Sequence, residues 1–204
     1  EENKSEYTFR TIKSLIKSLE FEKEILKKIK IKIYIVDHNS KKEDLEQIKN
    51  ILKTININFE IINLNLEQFG QIKILNKNNS VIENNMKATM ASILTSFNIA
   101  KEKSNDLVYF VEDDYWHLPQ APTAIIEGLQ YFDYVTGYDH PDKYINYSEG
   151  GPNPHISEGG ELTRVLISKS CHWKLTNSCC MTFATRVQTL KEDHDIITKH
   201  CQSS

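Results

Sequence analysis

Three consecutive carboxylates, Glu112-Asp113-Asp114, follow the wholly apolar run Leu107-Val108-Tyr109-Phe110-Val111. Like charges this close repel and raise one another's pKa unless a cation sits between them. Oxygen ligands of this kind suit Mg2+ or Mn2+, which keep several waters and bridge to substrate phosphates rather than being caged by protein alone. The cluster therefore predicts a site for a divalent metal and a phosphate-bearing ligand; the plainer reading is an acidic strand end whose side chains face water. A second acid, Asp37, closes the β-branched run Ile31 to Val36 and opens the polar turn Asp37-His38-Asn39-Ser40. No G-x-G-x-x-G or Walker-type glycine loop offers backbone amides to phosphates, so phosphate charge must be met by metal, Lys or Arg.

The elements that carry these acids follow from periodicity. Apolar residues at helical spacing predict one helix, or two, over Thr8 to Lys28, then a strand over Ile31 to Val36. A helix through Leu45, Ile48 and Leu52 has Ser40 or a neighbour as cap and Glu43 and Asp44 in its first turn. A strand over Phe59 to Leu64 and an Asn-rich loop over Glu67 to Asn85 lead to a helix from Met86 to Ala100 and the apolar strand at Leu107, which suits the centre of a parallel sheet. Beyond the acids the pattern predicts a helix over Thr123 to Tyr131, strands over Tyr134 to Tyr138, Leu162 to Ser168 and Met181 to Thr185, and a last helix over Val187 to His200. Such alternation argues for a three-layer α/β/α sandwich with a mixed, mainly parallel sheet, whose ligand site lies beyond the C-terminal ends of the strands. Both Asp37 and the acidic cluster fall at such ends.

Composition narrows the field. The 204 residues, 39% hydrophobic, allow one core and one domain, and no low-complexity linker marks a boundary. A net charge of −3 gives no bulk electrostatic reason to expect a nucleic-acid partner. No apolar run approaches the roughly 20 residues that cross a bilayer, and no signal segment opens the chain. The expectation is a cytoplasmic protein, with peripheral association at the inner membrane face left open. Cys171, Cys179, Cys180 and Cys201 read as reduced thiols; a zinc site with His172 would lack the usual C-x2-C spacing.

The run Val36-Asp37-His38-Asn39-Ser40 followed by Phe110-Val111-Glu112-Asp113-Asp114 resembles the glycosyltransferase family 2 arrangement of a nucleotide-contacting Asp strand end and a DxD-type metal strand end. The resemblance implies a GT-A fold, with residues 1–118 binding nucleotide and metal and residues 119–204 serving acceptor and catalysis. It implies a nucleotide-diphosphate sugar donor, UDP-sugar favoured, Mn2+ or Mg2+ as cofactor, and a glycan or glycolipid acceptor in surface polysaccharide synthesis. Asp37 would meet the nucleobase or ribose, Asp114 the metal, and Glu112 and Asp113 the donor; Glu112 stands where the family carries Asp, so ribose and metal contact both remain open to it. Asn84-Asn85-Met86-Lys87 resembles the segment that lines the nucleotide pocket, through Asn85, Lys87 and helix N-terminal amides. Lys191-Glu192-Asp193-His194-Asp195 resembles the ED-type helix start from which inverting members take their base, which assigns Asp193 to remove the acceptor's proton. Family members also carry a strand before the first helix, expected upstream of Glu1.

Several further residues suit an acceptor. Trp116 could stack on a sugar ring and His117 could bind acceptor or metal. Tyr138 and Asp139 end a predicted strand, and His172 lies between the last two strands. Gly150-Gly151 and Gly159-Gly160 have the backbone freedom of a closing lid, or of a plain surface loop. Two other functions fit the same residues. A nucleotidyltransferase also holds Mg2+ on strand-end acids, though it usually adds a glycine-rich phosphate loop; a non-catalytic carbohydrate-binding protein would keep the fold alone.

Overall fold

A computed structural model describes residues 4–69, 80–139, 144–145, 147–151, 164–176, 179 and 182–202, the side chains of 80–86 excepted. The chain opens with helix α1 (Lys4–Phe21) and the short α2 (Lys23–Leu26). They are separated at Glu22, which is only 5% exposed and whose carboxylate accepts the backbone N–H of Thr123 at 2.7 Å. Strand β1 (Lys32–Asp37), helix α3 (Lys42–Leu52) and strand β2 (Asn58–Asn63) form a β-α-β unit, with β1 and β2 parallel in a register that sets Lys32 opposite Asn58 and Asp37 opposite Asn63. Strand alternation then sorts the side chains. Ile33, Ile35, Phe59 and Ile61 pack with Phe9 and Ile16 of α1 and with Ile48 and Leu52 of α3. On the opposite face Lys103, at the end of the long helix α4 (Ser80–Lys103), lies over the Tyr34 ring at 5.6 Å and beside Glu60 at 3.6 Å.

The second half is built from strands β3 (Leu107–Phe110), β4 (Tyr134–Val135), β5 (Val165–Ile167), β6 (His172–Lys174) and β7 (Phe183–Arg186), with helices α5 (Ala121–Gly128), α6 (Val187–Glu192) and α7 (His194–Gln202). Strand β7 lies between β3 and β4, antiparallel to both, with Phe110 opposite Phe183 and Val135 opposite Ala184. Its α4 side is aromatic: Phe97 meets Phe110 edge-on at 4.7 Å, and Phe183, Tyr134 and Leu190 complete the cluster. Such ring pairs add about 0.5–1.5 kcal/mol to the area they bury. The other face receives Ile125 and Leu129, with Phe132 and Trp173 against them. Strands β5 and β6 form a hairpin seated on α5. The Trp173 ring lies so close to Gly128 that a Cβ there would meet it at 2.8 Å, and Glu127 accepts hydrogen bonds from Ser168 Oγ, Ser170 Oγ and the Ser170 N–H.

The architecture is mixed α/β, as expected, but its pairing differs from a mainly parallel sheet. Among the described residues the strands form three small sheets, and only β1 and β2 run parallel. Strand β3, expected at the centre of a parallel sheet, pairs antiparallel with β7. Four other boundaries are corrected. The segment Glu67 to Asn85, read as a loop, is helical from Ser80 onward, while 70–79 lie outside the described residues. Strand β4 stops at Val135, because the Thr136 hydroxyl turns to the Thr182 carbonyl at 2.7 Å. Residues His172–Lys174, read as a connection, form β6. The single last helix is broken at Asp193, which ends α6 and precedes α7. The cap of α3 is Lys41, with no side-chain hydrogen bond, so its first-turn Glu43 and Asp44 answer the helix dipole instead. Residues 152–163, with the second glycine pair of the proposed lid, lie outside the described residues. Among the described residues no helix is long and apolar enough to cross a membrane.

Candidate functional site

Asp37 is the last residue of β1, and alternation puts its side chain on the α1 side with Ile33 and Ile35. The chain turns sharply after it: the Asp37 carbonyl accepts from Leu64 N–H at 2.7 Å, and Asn39 adopts φ 59°, a left-handed conformation that Asn tolerates well. Asp37 is 9% exposed, and among the described residues none donates a hydrogen bond to its carboxylate. Among the described residues the side-chain oxygen sealed from water without a partner is that of Thr123, so the Asp37 carboxylate, though its residue is buried, keeps an edge open to solvent and to an incoming donor.

The second strand end is pinned by threonines. Glu112 N–H donates to Thr182 Oγ at 3.0 Å, Thr136 Oγ donates to the Thr182 carbonyl, and Tyr138 N–H donates to Thr136 Oγ at 3.1 Å. These bonds hold the segments after β3, before β7 and after β4 at one level. Tyr138 is thereby brought against Tyr115, the residue after the acids, with ring centres 5.3 Å apart. Asp113 and Asp114 are exposed, and Asp113 accepts the Thr8 hydroxyl of α1 at 3.1 Å. The first turns of α1 thus border this strand end, and its next residue, Phe9, packs in the cluster that contains Ile33 and Ile35 below Asp37.

Among the described residues no three His, Cys, Asp or Glu side chains converge as a metal-ligating group.

His117 is buried. Its Nε2 lies 3.0 Å from the Tyr109 hydroxyl, its Nδ1 3.4 Å from Ser14 Oγ, and its backbone N–H donates to the same Ser14 Oγ at 3.0 Å. Burial lowers the pKa of the imidazole and pushes the Tyr109 hydroxyl up to about 12. In this setting His117 fastens the loop after the acids to α1, and both ring nitrogens that an acceptor or metal would need are engaged. Trp116, its neighbour, is 66% exposed.

The Asn84–Lys87 stretch does not open its helix. Helix α4 begins at Ser80, so the backbone amides from Asn84 onward lie past the first turn and have intrahelical acceptors. The expected contribution of helix N-terminal amides at this stretch is thereby corrected; what remains is the half-buried side chain of Lys87, and the Asn85 side chain lies outside the described residues. Asp193 accepts the Tyr134 hydroxyl at 2.6 Å, a bond that, with burial, raises the pKa of Tyr134. Asp139 bonds Tyr144, raising the latter's pKa. His172 is on the outward face of the β5–β6 hairpin, which is tied to α5 rather than to the acids. Cys171, Cys179 and Cys201 form no disulfide, and Cys180 lies outside the described residues.

The structure therefore brings Tyr115 and Tyr138 to the acidic strand end and places Asp37 at the end of the neighbouring parallel pair. Sequence reasoning missed Thr136, Thr182, Ser14 and Thr8, whose hydroxyls fix these ends; threonine in a strand reads only as a β-branched residue. No family model, curated protein or solved structure matches the chain.

Proposed function

We propose that the chain is a metal-dependent glycosyltransferase of GT-A-like, three-layer architecture that moves a sugar from a nucleotide-diphosphate donor, UDP-sugar favoured, to a hydroxyl acceptor with inversion. The observation that carries this reading is Asp37, a buried carboxylate at a strand end to which no described residue donates. A nucleobase N–H or a ribose hydroxyl donates to it, and such a charge-assisted bond orients the donor.

Asp114, with Glu112, is placed to hold Mg2+ or Mn2+, which when bound neutralises charge on the departing diphosphate. Lys87 adds positive charge on α4. Asp193 takes the proton from the acceptor hydroxyl as that oxygen attacks the anomeric carbon. The Tyr134 hydroxyl, its own proton held more firmly than usual, donates to Asp193 and fixes the carboxylate's orientation. Tyr138 and Asp139 line the acceptor side.

Thermal unfolding in the presence of UDP-, GDP- and dTDP-sugars, with and without Mn2+, tests this reading, since a ligand that binds the folded chain raises its stability by mass action. A Mn2+-dependent rise with one donor class is expected. Asp114→Ala should lose the metal-dependent share while folding normally, because Asp114 is exposed. The proposal fails if no donor stabilises the wild-type chain under either condition.

A further inference from the structure

Four large exposed apolar side chains lie along α1, α2 and the loop after the acids, which runs beside α1. Phe21 is 64% exposed, Ile25 62%, Trp116 66% and Leu118 67%. They are neighbours because the loop after the acids runs along α1: His117 N–H is bonded to Ser14, and Thr123 N–H to Glu22. With His117 turned inward, Trp116 and Leu118 on either side of it are turned out. Ile29, in the turn after α2, is a further 45% exposed. Single exposed apolar residues need no explanation, but a group of them rimmed by charge marks an interaction surface.

The rim is basic. Residues 13–30 hold six lysines against three glutamates, in a chain whose net charge is −3. One of the three, Glu22, is buried as the acceptor for Thr123, and a second, Glu24, is bonded to Lys27. Lys23, Lys27, Lys28 and Lys30 are interleaved with Phe21, Ile25 and Ile29 in sequence, and all are exposed. A dry contact with a second copy of the chain would bury these ammonium groups against their own kind. An anionic headgroup layer has neither defect: the apolar side chains enter the acyl boundary while the lysine stems extend and keep their charges at the phosphates.

We infer that the α1–α2 end, with Trp116 and Leu118, is a surface that docks the chain on anionic lipid bilayers. No described helix is long and apolar enough to span the membrane, so the chain lies on the surface. The inference goes beyond the donor site and is tested without any nucleotide.

Cosedimentation of the full chain with vesicles of phosphatidylcholine alone, and of phosphatidylcholine with one third phosphatidylglycerol, provides the test. Binding is expected only to the anionic vesicles and should weaken as salt rises. Each lysine near an anionic surface is worth about fivefold in affinity, so Lys23→Glu with Lys28→Glu should lower binding at least tenfold. Phe21→Ser with Ile25→Ser should abolish it, and lipids brominated on the acyl chain should quench tryptophan fluorescence in the wild type but not in Trp116→Phe. All these side chains are exposed, and matched thermal melts of the variants would show the fold intact. Absence of binding to anionic vesicles overturns the inference, as does binding unchanged by the charge reversals. A wild-type dimer in lipid-free solution that Phe21→Ser with Ile25→Ser converts to monomer would assign the surface to a second copy instead.

Discussion

The two acid-bearing strand ends differ in how the fold treats their charge. At the end of β1 a single carboxylate, Asp37, is drawn under α1 and left without a donor among the described residues. At the end of β3 three carboxylates emerge, two of them exposed, and the fold invests in their backbone instead, through the Thr182 and Thr136 hydroxyls. The contrast teaches that acids at two strand ends, both legible in the sequence, can differ in what the fold does with them: one is drawn into a buried position, the others stay exposed on a pinned backbone.

The sharpest way to break this contrast is Asp37→Asn. Removal of a largely buried charge that no described residue answers should leave the ligand-free chain at least as stable as the wild type. Donor affinity should fall by roughly ten- to a hundredfold, the worth of a charge-assisted hydrogen bond. Denaturant melts and calorimetric titration read both quantities. A loss of stability would mean that a group in the protein already answers this carboxylate.

Thr182→Val attacks the other end. It strands the Glu112 N–H and should cost about 1–3 kcal/mol in a urea melt, while the affinity for nucleoside alone, read at the β1 end, stays as in the wild type. Equal losses in both measurements would show that the two ends are one unit. The smallest expected effect is a pH dependence. Burial lowers the folded-state pKa of His117, so its contribution is complete above the unfolded value of about 6.5 and is lost as pH falls below it, because the unfolded chain then takes up a proton that the fold resists. His117→Gln should therefore flatten the fall in melting temperature between neutral and mildly acidic pH. An unchanged slope would release His117 from its role as the fastener between α1 and the acidic loop.

Much of this arrangement is legible in the sequence where periodicity and burial agree. The runs that became β1 and β3 announce themselves by β-branched and apolar residues, and the acids that end them follow directly. Asp37 was legible as a strand-end acid; its burial was not, because that depends on α1 closing over it. The break at Asp193 has no glycine or proline to signal it, and it coincides with a hydroxyl donated by Tyr134 from another strand. Strand β6 is three residues long, two of them charged or titratable, and is held by pairing with β5 and by the Trp173 ring against Gly128, neither of which periodicity signals. The first turns of α4 were hidden by Asn84 and Asn85, whose preference for turns the helix overrides.

The seat of that hairpin has a consequence for variation in the chain. Its ties among the described residues run to the last turn of α5 and to Phe132, through the Trp173 ring and the Glu127 carboxylate, and Lys174 lies over the Tyr144 ring at 5.5 Å. Gly128 thus limits what substitution this seat can take: a methyl group there would press on the Trp173 ring at 2.8 Å and on Val135 at 2.9 Å.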